Sequence, residues 1–191
     1  MMLGNGWERT SWLLLGVAAF CVLLAPAALL AGSIPEVGAV LPEVRVCVPE
    51  TEKERNYLGV NGTEKFTFDQ LSFPYLLVEI AGVYCPYCHE QAPHFNTLFS
   101  RIRKNAEMAK KIRMITIAAG ADASEVKFMK EQFSIPFPVV KDPDYGVFEA
   151  VGEPATPFTL VVSRDRKVVY THLGIIANVD SFMEELSRIV R

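Results

Sequence analysis

The sequence predicts an α/β fold in which helices flank a central mixed β-sheet. Apolar runs of strand length alternate with segments of helical spacing, which is typical of parallel strands joined by helices. Near the carboxyl terminus two apolar runs follow each other across the short turn "RDRK", which predicts an antiparallel hairpin. A closing helix over residues 179–189 then covers one face of the sheet.

The first half of the domain contains two buried strands and a long helix. "VRVCV" is β-branched and predicts a short strand, and Asn61-Gly62 is a turn signal. The apolar runs "YLLVEIAGV" and "RMITIAA" predict strands buried on both faces of a parallel sheet. Between them the sequence has helical spacing, and one face of that helix collects apolar side chains: Phe95, Leu98, Phe99 and Ile102.

The second half contains shorter elements. "SEVKFMKEQF" predicts a helix with Ser124 as its N-cap, and "FPVVKD" predicts a third short strand. "DYGVFEAVG" predicts a short helix that ends at Gly152. The strands "FTLVVS" and "VVYTHLG" form the predicted hairpin before the closing helix.

The length and composition limit the classes of function. The chain has 191 residues, enough for one ordinary domain and an appendage. Half of the residues are hydrophobic and the net charge is only -3, which excludes a disordered chain and an electrostatic nucleic-acid binder. We therefore predict no nucleic-acid partner.

The first 32 residues predict a membrane or export segment. Residues 11–31 contain no charged side chain, and a run of about 20 such residues is long enough to cross a bilayer. The length of the run favours an uncleaved anchor, while the small residues Ala31 and Ser33 also fit a cleaved signal peptide. Either reading directs the following domain out of the cytoplasm.

The domain organisation follows from these patterns. We predict a signal-anchor or signal peptide over residues 1–32 and a linker rich in Pro, Gly and Glu over residues 33–45. The folded domain is predicted over residues 46–191.

The stretch "YCPYCHE", from Tyr84 to Glu90, fits two chemistries. Cys-x-x-Cys-His is the attachment pattern of c-type haem, and Cys-x-x-Cys between a strand and a helix is typical of a redox dithiol. In the redox reading, Cys85 at the helix amino end is the attacking thiolate, which the helix dipole stabilises. Pro86 suits the first helical turn, and Cys88, one turn further on, resolves the mixed disulfide.

Glu79 is the only ionisable side chain in the strand that precedes the dithiol. Burial of a carboxyl group raises its pKa, which suits the group to accept and return a proton. We predict that Glu79 exchanges a proton with Cys88.

From about Leu41 to Arg191 the chain resembles the thioredoxin superfamily, in particular the membrane-tethered redoxin branch with its TlpA-like thiol–disulfide oxidoreductases. The features that carry the resemblance are the dithiol Cys85-Pro86-Tyr87-Cys88 after a buried strand, Glu79 six residues before it, Pro93 in the following helix, and Thr156-Pro157 before the penultimate strand. The resemblance implies a thioredoxin-like fold.

The resemblance also implies roles at the site. Pro157 is expected to be a cis-proline that faces the dithiol, and the Thr156 backbone to pair with an extended substrate segment. Pro86 and Tyr87 are expected to contact the substrate. The resulting prediction is an extracytoplasmic oxidoreductase that reduces protein disulfides. A redox-active Cys85–Cys88 disulfide would serve in place of any bound cofactor or metal.

The predicted partners and location follow from the same reading. Protein thiols and disulfides are the expected substrates, and a membrane thiol–disulfide protein is the expected electron donor. The expected location is the bacterial inner membrane facing the periplasm, or the periplasm itself if the signal is cleaved.

Two alternative functions stay open. In a c-type cytochrome His89 would be the axial haem ligand, although the long buried strand and Pro93 favour a dithiol. In a peroxiredoxin-like peroxidase, Pro seven residues and Thr three residues before the reactive cysteine bind the peroxide, and Val78 and Gly82 stand there instead. Cys47 is either a packed thiol or a third redox cysteine.

Overall fold

The computed structural model describes residues 33–62 and 64–191. Seven strands are found in this part of the chain: β1 (Val46–Cys47), β2 (Lys65–Phe66), β3 (Tyr75–Ala81), β4 (Ile112–Ala119), β5 (Val139–Asp142), β6 (Phe158–Ser163) and β7 (Val168–Leu173). Strands β1 and β2 pair with each other, and the other five form the central sheet in the order β5-β4-β3-β6-β7.

The central sheet is mixed, as the sequence predicts. Strands β3, β4 and β5 are parallel, while β6 is antiparallel to both β3 and β7. Because parallel strands end at the same edge, the loops after β3, β4 and β5 share that edge. Pro157 enters β6 there too, since Phe158 pairs with Ile80 near the end of β3.

Six helices pack on the two faces of the sheet. Their bounds are α1 (Glu52–Leu58), α2 (Pro86–Lys104), α3 (Ala106–Lys111), α4 (Ala123–Gln132), α5 (Gly146–Ala150) and α6 (Val179–Ile189). Helices α2, α3, α4 and α6 contribute to the apolar cluster on one face, and α1 and α5 contribute to the cluster on the other. Both faces of β3 and β4 are buried, which explains why the sequences of these strands are almost entirely apolar.

The helices differ from the sequence predictions in several places, and α3, which begins after its N-cap Asn105, was not predicted. Helix α1 was not predicted, because its seven residues are mostly polar and bury only Leu58. Thr51 starts this helix by accepting a hydrogen bond from the Glu54 N–H. The predicted N-cap of α4, Ser124, is wrong: the cap is Asp122, whose carboxylate accepts the N–H groups of Ser124 and Glu125.

Residues 33–45, predicted as a linker, lie partly against the domain. The Gly38 N–H donates to the carbonyl of Val168, and Val40 forms a bridge with Lys167. Leu41 and Val44 are buried.

The predicted membrane or signal segment of residues 1–32 lies outside the described residues. Within residues 33–62 and 64–191, no helix combines the length and apolar character needed to cross a bilayer.

Candidate active site

The two cysteines lie at the junction of β3 and α2. Cys85 is the N-cap of the helix and Pro86 occupies its first turn, as the sequence predicts. Cys85 is partly exposed, whereas Cys88, one turn into the helix, is only 1% exposed. Both carry free thiols. The chain therefore presents one sulfur to solvent and keeps the other inside the core.

The surroundings of the two sulfurs drive their pKa values apart. Burial alone would raise the pKa of Cys85, but hydrogen bonds from the Cys88 thiol, the Thr156 side chain and the N–H groups of the first helical turn outweigh it and lower that pKa. Burial, followed by the hydrogen bond to Cys85, raises the pKa of Cys88 to about 12. A lowered pKa makes a thiol the better nucleophile, so we expect Cys85 to react first and Cys88 to keep its proton at neutral pH.

This difference predicts how each thiol reacts with iodoacetamide. We expect Cys85 to be alkylated with a pKa below the ordinary thiol value near 8.5, and Cys88 to resist alkylation in the folded protein. Because the Cys88 thiol donates to Cys85, the Cys88→Ala variant should have a higher Cys85 pKa. Alkylation rates followed by peptide mass spectrometry across pH test both expectations. An unchanged Cys85 pKa in Cys88→Ala would contradict the proposed hydrogen bond.

The segment before β6 faces the exposed sulfur. The Thr156–Pro157 peptide bond is cis, as the resemblance implied. The Cys85 thiol lies 3.4 Å from the Thr156 carbonyl oxygen and donates to it. A Cβ atom at Gly82 would lie 3.3 Å from the Cys85 Cβ and 3.7 Å from the Thr156 Oγ1, so glycine leaves the space that this approach requires. Tyr87, between the cysteines, is exposed.

Glu79 is buried on the face of the sheet that α2 covers. Its side chain is 3% exposed, and the two carboxylate oxygens accept hydrogen bonds from the Gln91 amide at 2.8 Å and the Thr116 hydroxyl at 2.6 Å. Burial raises the pKa of Glu79, and these two hydrogen bonds only partly offset the effect. Among the described residues the carboxylate's hydrogen-bond partners do not include Cys88.

Gln91 is the site residue that sequence reasoning missed. It is fully buried in α2, three residues after Cys88, and so lies on the same side of the helix. Its amide donates to Glu79, and its carbonyl oxygen accepts the Ile176 N–H at 2.8 Å. The signal available in the sequence was a polar residue one helical turn after Cys88, on the side of the helix that faces the core. Gln91, one helical turn after Cys88, thus bonds the Glu79 carboxyl group to the helix that carries the buried sulfur.

Two threonines flank Glu79 on the neighbouring strands. Thr116 in β4 and Thr159 in β6 are its direct cross-strand partners, and both are fully buried. The Thr116 hydroxyl donates to Glu79, whereas the Thr159 hydroxyl has no hydrogen-bond partner in residues 33–62 and 64–191. A buried hydroxyl without a partner destabilises the folded state.

We therefore expect Thr159→Val to raise the free energy of unfolding by about 1 kcal/mol, because valine has the same shape and no hydroxyl. Thr116→Val is the matched control, since it deletes a hydrogen bond to a buried carboxyl group and should cost about 1–3 kcal/mol. Urea unfolding at fixed pH measures both. Equal destabilisation by the two substitutions would show that the Thr159 hydroxyl is bonded after all.

His89 is held inside the site and does not project as a ligand. Its Nε2 lies 2.7 Å from the Val83 carbonyl oxygen, and its ring packs on Phe133 with 4.4 Å between the centroids. Haem attachment needs both cysteine sulfurs exposed and a free histidine nitrogen on the same side. The burial of Cys88 and the contacts of His89 disfavour that chemistry.

Comparisons with known proteins find similar proteins that are named as thiol-disulfide oxidoreductases. ResA from Halalkalibacterium halodurans, named a thiol-disulfide oxidoreductase, is 26% identical over 105 residues, which cover 54% of this chain and 57% of that relative. The aligned region is thus only a little over half of the relative's length.

Solved structures show the same fold at low identity. A Chlorobium tepidum protein put forward as the thiol:disulfide interchange protein DsbE has a TM-score of 0.64 at 16% identity, covering 83% of this chain and 100% of that one. The thioredoxin domain of a thiol-disulfide oxidoreductase from Bacteroides vulgatus has a TM-score of 0.60 at 16% identity, covering 82% and 99%. These likenesses confirm the thioredoxin-like fold.

The Redoxin family model matches residues 42–185, most of the chain. The protein therefore belongs to the redoxin family.

Proposed function

We propose that this protein is a thiol–disulfide oxidoreductase that reduces disulfides of proteins outside the cytoplasm. The observation that carries the proposal is the unequal pair of thiols, in which Cys85 is accessible with a lowered pKa and Cys88 is buried with a pKa of about 12. Such a pair attacks a disulfide with one sulfur and releases the product with the other. The ResA relative is named for the same activity.

In the first step the Cys85 thiolate attacks one sulfur of the substrate disulfide. A bond forms between that sulfur and Cys85, the substrate disulfide breaks, and the second substrate sulfur leaves as a thiolate that takes a proton from solvent. The Thr156 backbone beside Cys85 can pair with an extended substrate segment during this attack.

In the second step the Cys88 thiol gives its proton to Glu79 by way of one bridging water, and the resulting thiolate attacks the Cys85 sulfur. The Cys85–Cys88 disulfide forms, the mixed disulfide breaks, and the remaining substrate sulfur leaves and recovers the proton from Glu79. Two electrons pass from the protein to the substrate. The cysteines carry these electrons themselves, so the reaction uses no bound metal or organic cofactor.

Each turnover requires an external dithiol to reduce the new Cys85–Cys88 disulfide. The uncharged residues 11–31 support a site of action at a bacterial inner membrane, with the domain facing the periplasm. A membrane-bound thiol–disulfide protein is therefore the expected donor. Disulfides persist in that compartment, which gives a reductase its substrates.

Insulin reduction tests the activity. The full-length protein in detergent, supplied with a low concentration of dithiothreitol, should accelerate insulin precipitation well above the rate with dithiothreitol alone. Absence of acceleration by the folded protein would overturn the proposal. Rapid consumption of hydrogen peroxide in a parallel assay would favour the peroxidase alternative instead.

Alkaline phosphatase fused after Arg191 tests the location separately. The fusion should be active in bacterial cells, since the phosphatase requires export to form its disulfides. An inactive fusion that is nevertheless produced at a normal level would place the domain in the cytoplasm.

A further inference from the structure

Three segments lie at the edge of the sheet where the exposed sulfur is found, and we call them the edge loops: residues 82–90, 120–128 and 143–157. These ranges include the first residues of α2 and α4 and all of α5. They follow the carboxyl ends of the parallel strands β3, β4 and β5. The first contains the dithiol and the third contains Thr156, which contacts Cys85. A substrate segment that reaches Cys85 therefore approaches this edge of the sheet.

The edge loops concentrate negative charge. The whole chain has 22 acidic and 19 basic side chains, so its overall charge is nearly balanced. Within the edge loops the only lysine or arginine is Lys127, which faces Glu131 at 3.9 Å. The acidic residues of these loops are Glu90, Asp122, Glu125, Asp144, Glu149 and Glu153. Lys141, in the adjoining strand β5, is one of the groups that lower the pKa of Asp122. This single positive charge offsets only part of the negative charge.

The same loops contain the exposed aromatic side chains. Of the large hydrophobic side chains that are exposed in the described residues, four are aromatic, and all four belong to the edge loops: Tyr84, Tyr87, Phe128 and Tyr145. The Tyr84 and Phe128 rings lie 6.5 Å apart, so they form one surface beside Cys85. The Glu125 carboxylate lies close enough to Tyr84 to raise the pKa of its hydroxyl, which places a carboxylate at the border of this surface.

Aromatic faces bordered by carboxylates bind lysine and arginine side chains. The cation lies over the ring, the aliphatic stem packs on it, and the carboxylate supplies the opposite charge. We infer, on the basis of the proposed function, that the edge loops select polypeptide substrates in which lysine or arginine lies close to the disulfide-bonded cysteine. A second copy of this chain is a poor occupant, because the acidic loops would repel each other.

The test compares three peptides that contain the same disulfide and differ only in the residues beside the cysteines, which are lysine, serine or glutamate. The full-length protein should reduce the lysine peptide with a kcat/KM at least about tenfold above that of the serine peptide, and the glutamate peptide should be slowest. Because the edge loops are exposed, the difference should shrink as salt is added.

Charge-removing variants locate the effect. Glu90→Gln combined with Glu153→Gln should lower the ratio of kcat/KM for the lysine peptide to kcat/KM for the serine peptide. Glu107→Gln combined with Asp165→Asn removes the same charge at the opposite edge of the sheet and should keep the full preference. Phe128→Ser, a change of an exposed side chain, should also weaken the preference.

Three outcomes would contradict the inference, and they are distinguishable. Equal kcat/KM for the three peptides would overturn it and leave the oxidoreductase activity in place. No reduction of any peptide by the folded protein would overturn the proposed function as well. Equal rates together with self-association that Phe128→Ser abolishes would make this surface a contact between copies of the chain.

Discussion

We expect the Cys85→Ser protein to lose insulin reduction by at least about a thousandfold, because Cys85 alone among the cysteines of residues 33–191 has a sulfur that is not buried. Cys85 is the partly exposed member of the pair, and its lowered pKa increases the fraction of thiolate near neutral pH. Serine keeps the size of the side chain but is a far weaker nucleophile at that pH. The measurement is the initial rate of insulin reduction under the conditions described above.

The companion variant Cys88→Ser separates the two roles. It should still attack the substrate but should then accumulate as a mixed disulfide, which mass spectrometry detects as an adduct on Cys85. Cys47→Ser is the control, because Cys47 is a buried free thiol in β1 and should not contribute to turnover. Activity in Cys85→Ser, or its loss in Cys47→Ser, would contradict these assignments.

The second large effect is expected at Glu79. In the Glu79→Gln protein the release of substrate from the mixed disulfide should slow by about a hundredfold, since general bases contribute on this scale. The pKa of about 12 at Cys88 makes such a base necessary, because few of these thiols ionise unaided at neutral pH. Attack by Cys85 should change little, which single-turnover measurements of the two steps would show.

The pH dependence distinguishes a proton acceptor from a structural residue. The ionised carboxylate is the active form, so the release rate of the native protein should rise with pH through the raised pKa of Glu79 and then level off. The rate of Glu79→Gln should instead keep rising as Cys88 ionises. Thr159→Val, which changes a neighbour of Glu79 and keeps the carboxyl group, should retain the native profile. A native profile in Glu79→Gln would contradict the assigned role.

The same carboxyl group should make stability depend on pH. Burial raises its pKa in the folded protein, so the folded state binds the proton more tightly than the unfolded chain does. Stability is then lost as pH rises from the unfolded value near 4.3 through the folded value, by about 1.4 kcal/mol for each unit of difference. Glu79→Gln should remove this loss. Urea unfolding across that pH range provides the comparison.

The parts of the fold that sequence predicts well are those specified by neighbouring residues. Strands β3 and β4 are apolar throughout, and the bounds of α6 agree with the predicted residues 179–189. Helix α1 was missed because its polar sequence has no apolar periodicity, and packing of Leu58 stabilises it. The cap of α4 was misplaced because Asp122 and Ser124 are both good capping residues at nearby positions.

The sequence by itself determined where the two cysteines lie. A cysteine, a proline and a second cysteine one turn later, placed where a buried strand gives way to a helix, are sufficient to predict one sulfur at the helix amino end and one inside it. These features are local, because strand, turn and helix all lie within residues 75–104.

Only the tertiary structure decided what surrounds those sulfurs. Gln91, Thr116 and Thr159 meet at Glu79 from one helix and two other strands, and Thr156 reaches Cys85 across 71 positions of sequence. No periodicity predicts these meetings, because sheet order and strand register bring the residues together. Hydrogen bonds and burial act over a few ångströms in space, so the pKa values that separate Cys85 from Cys88 depend on neighbours that are distant in the chain.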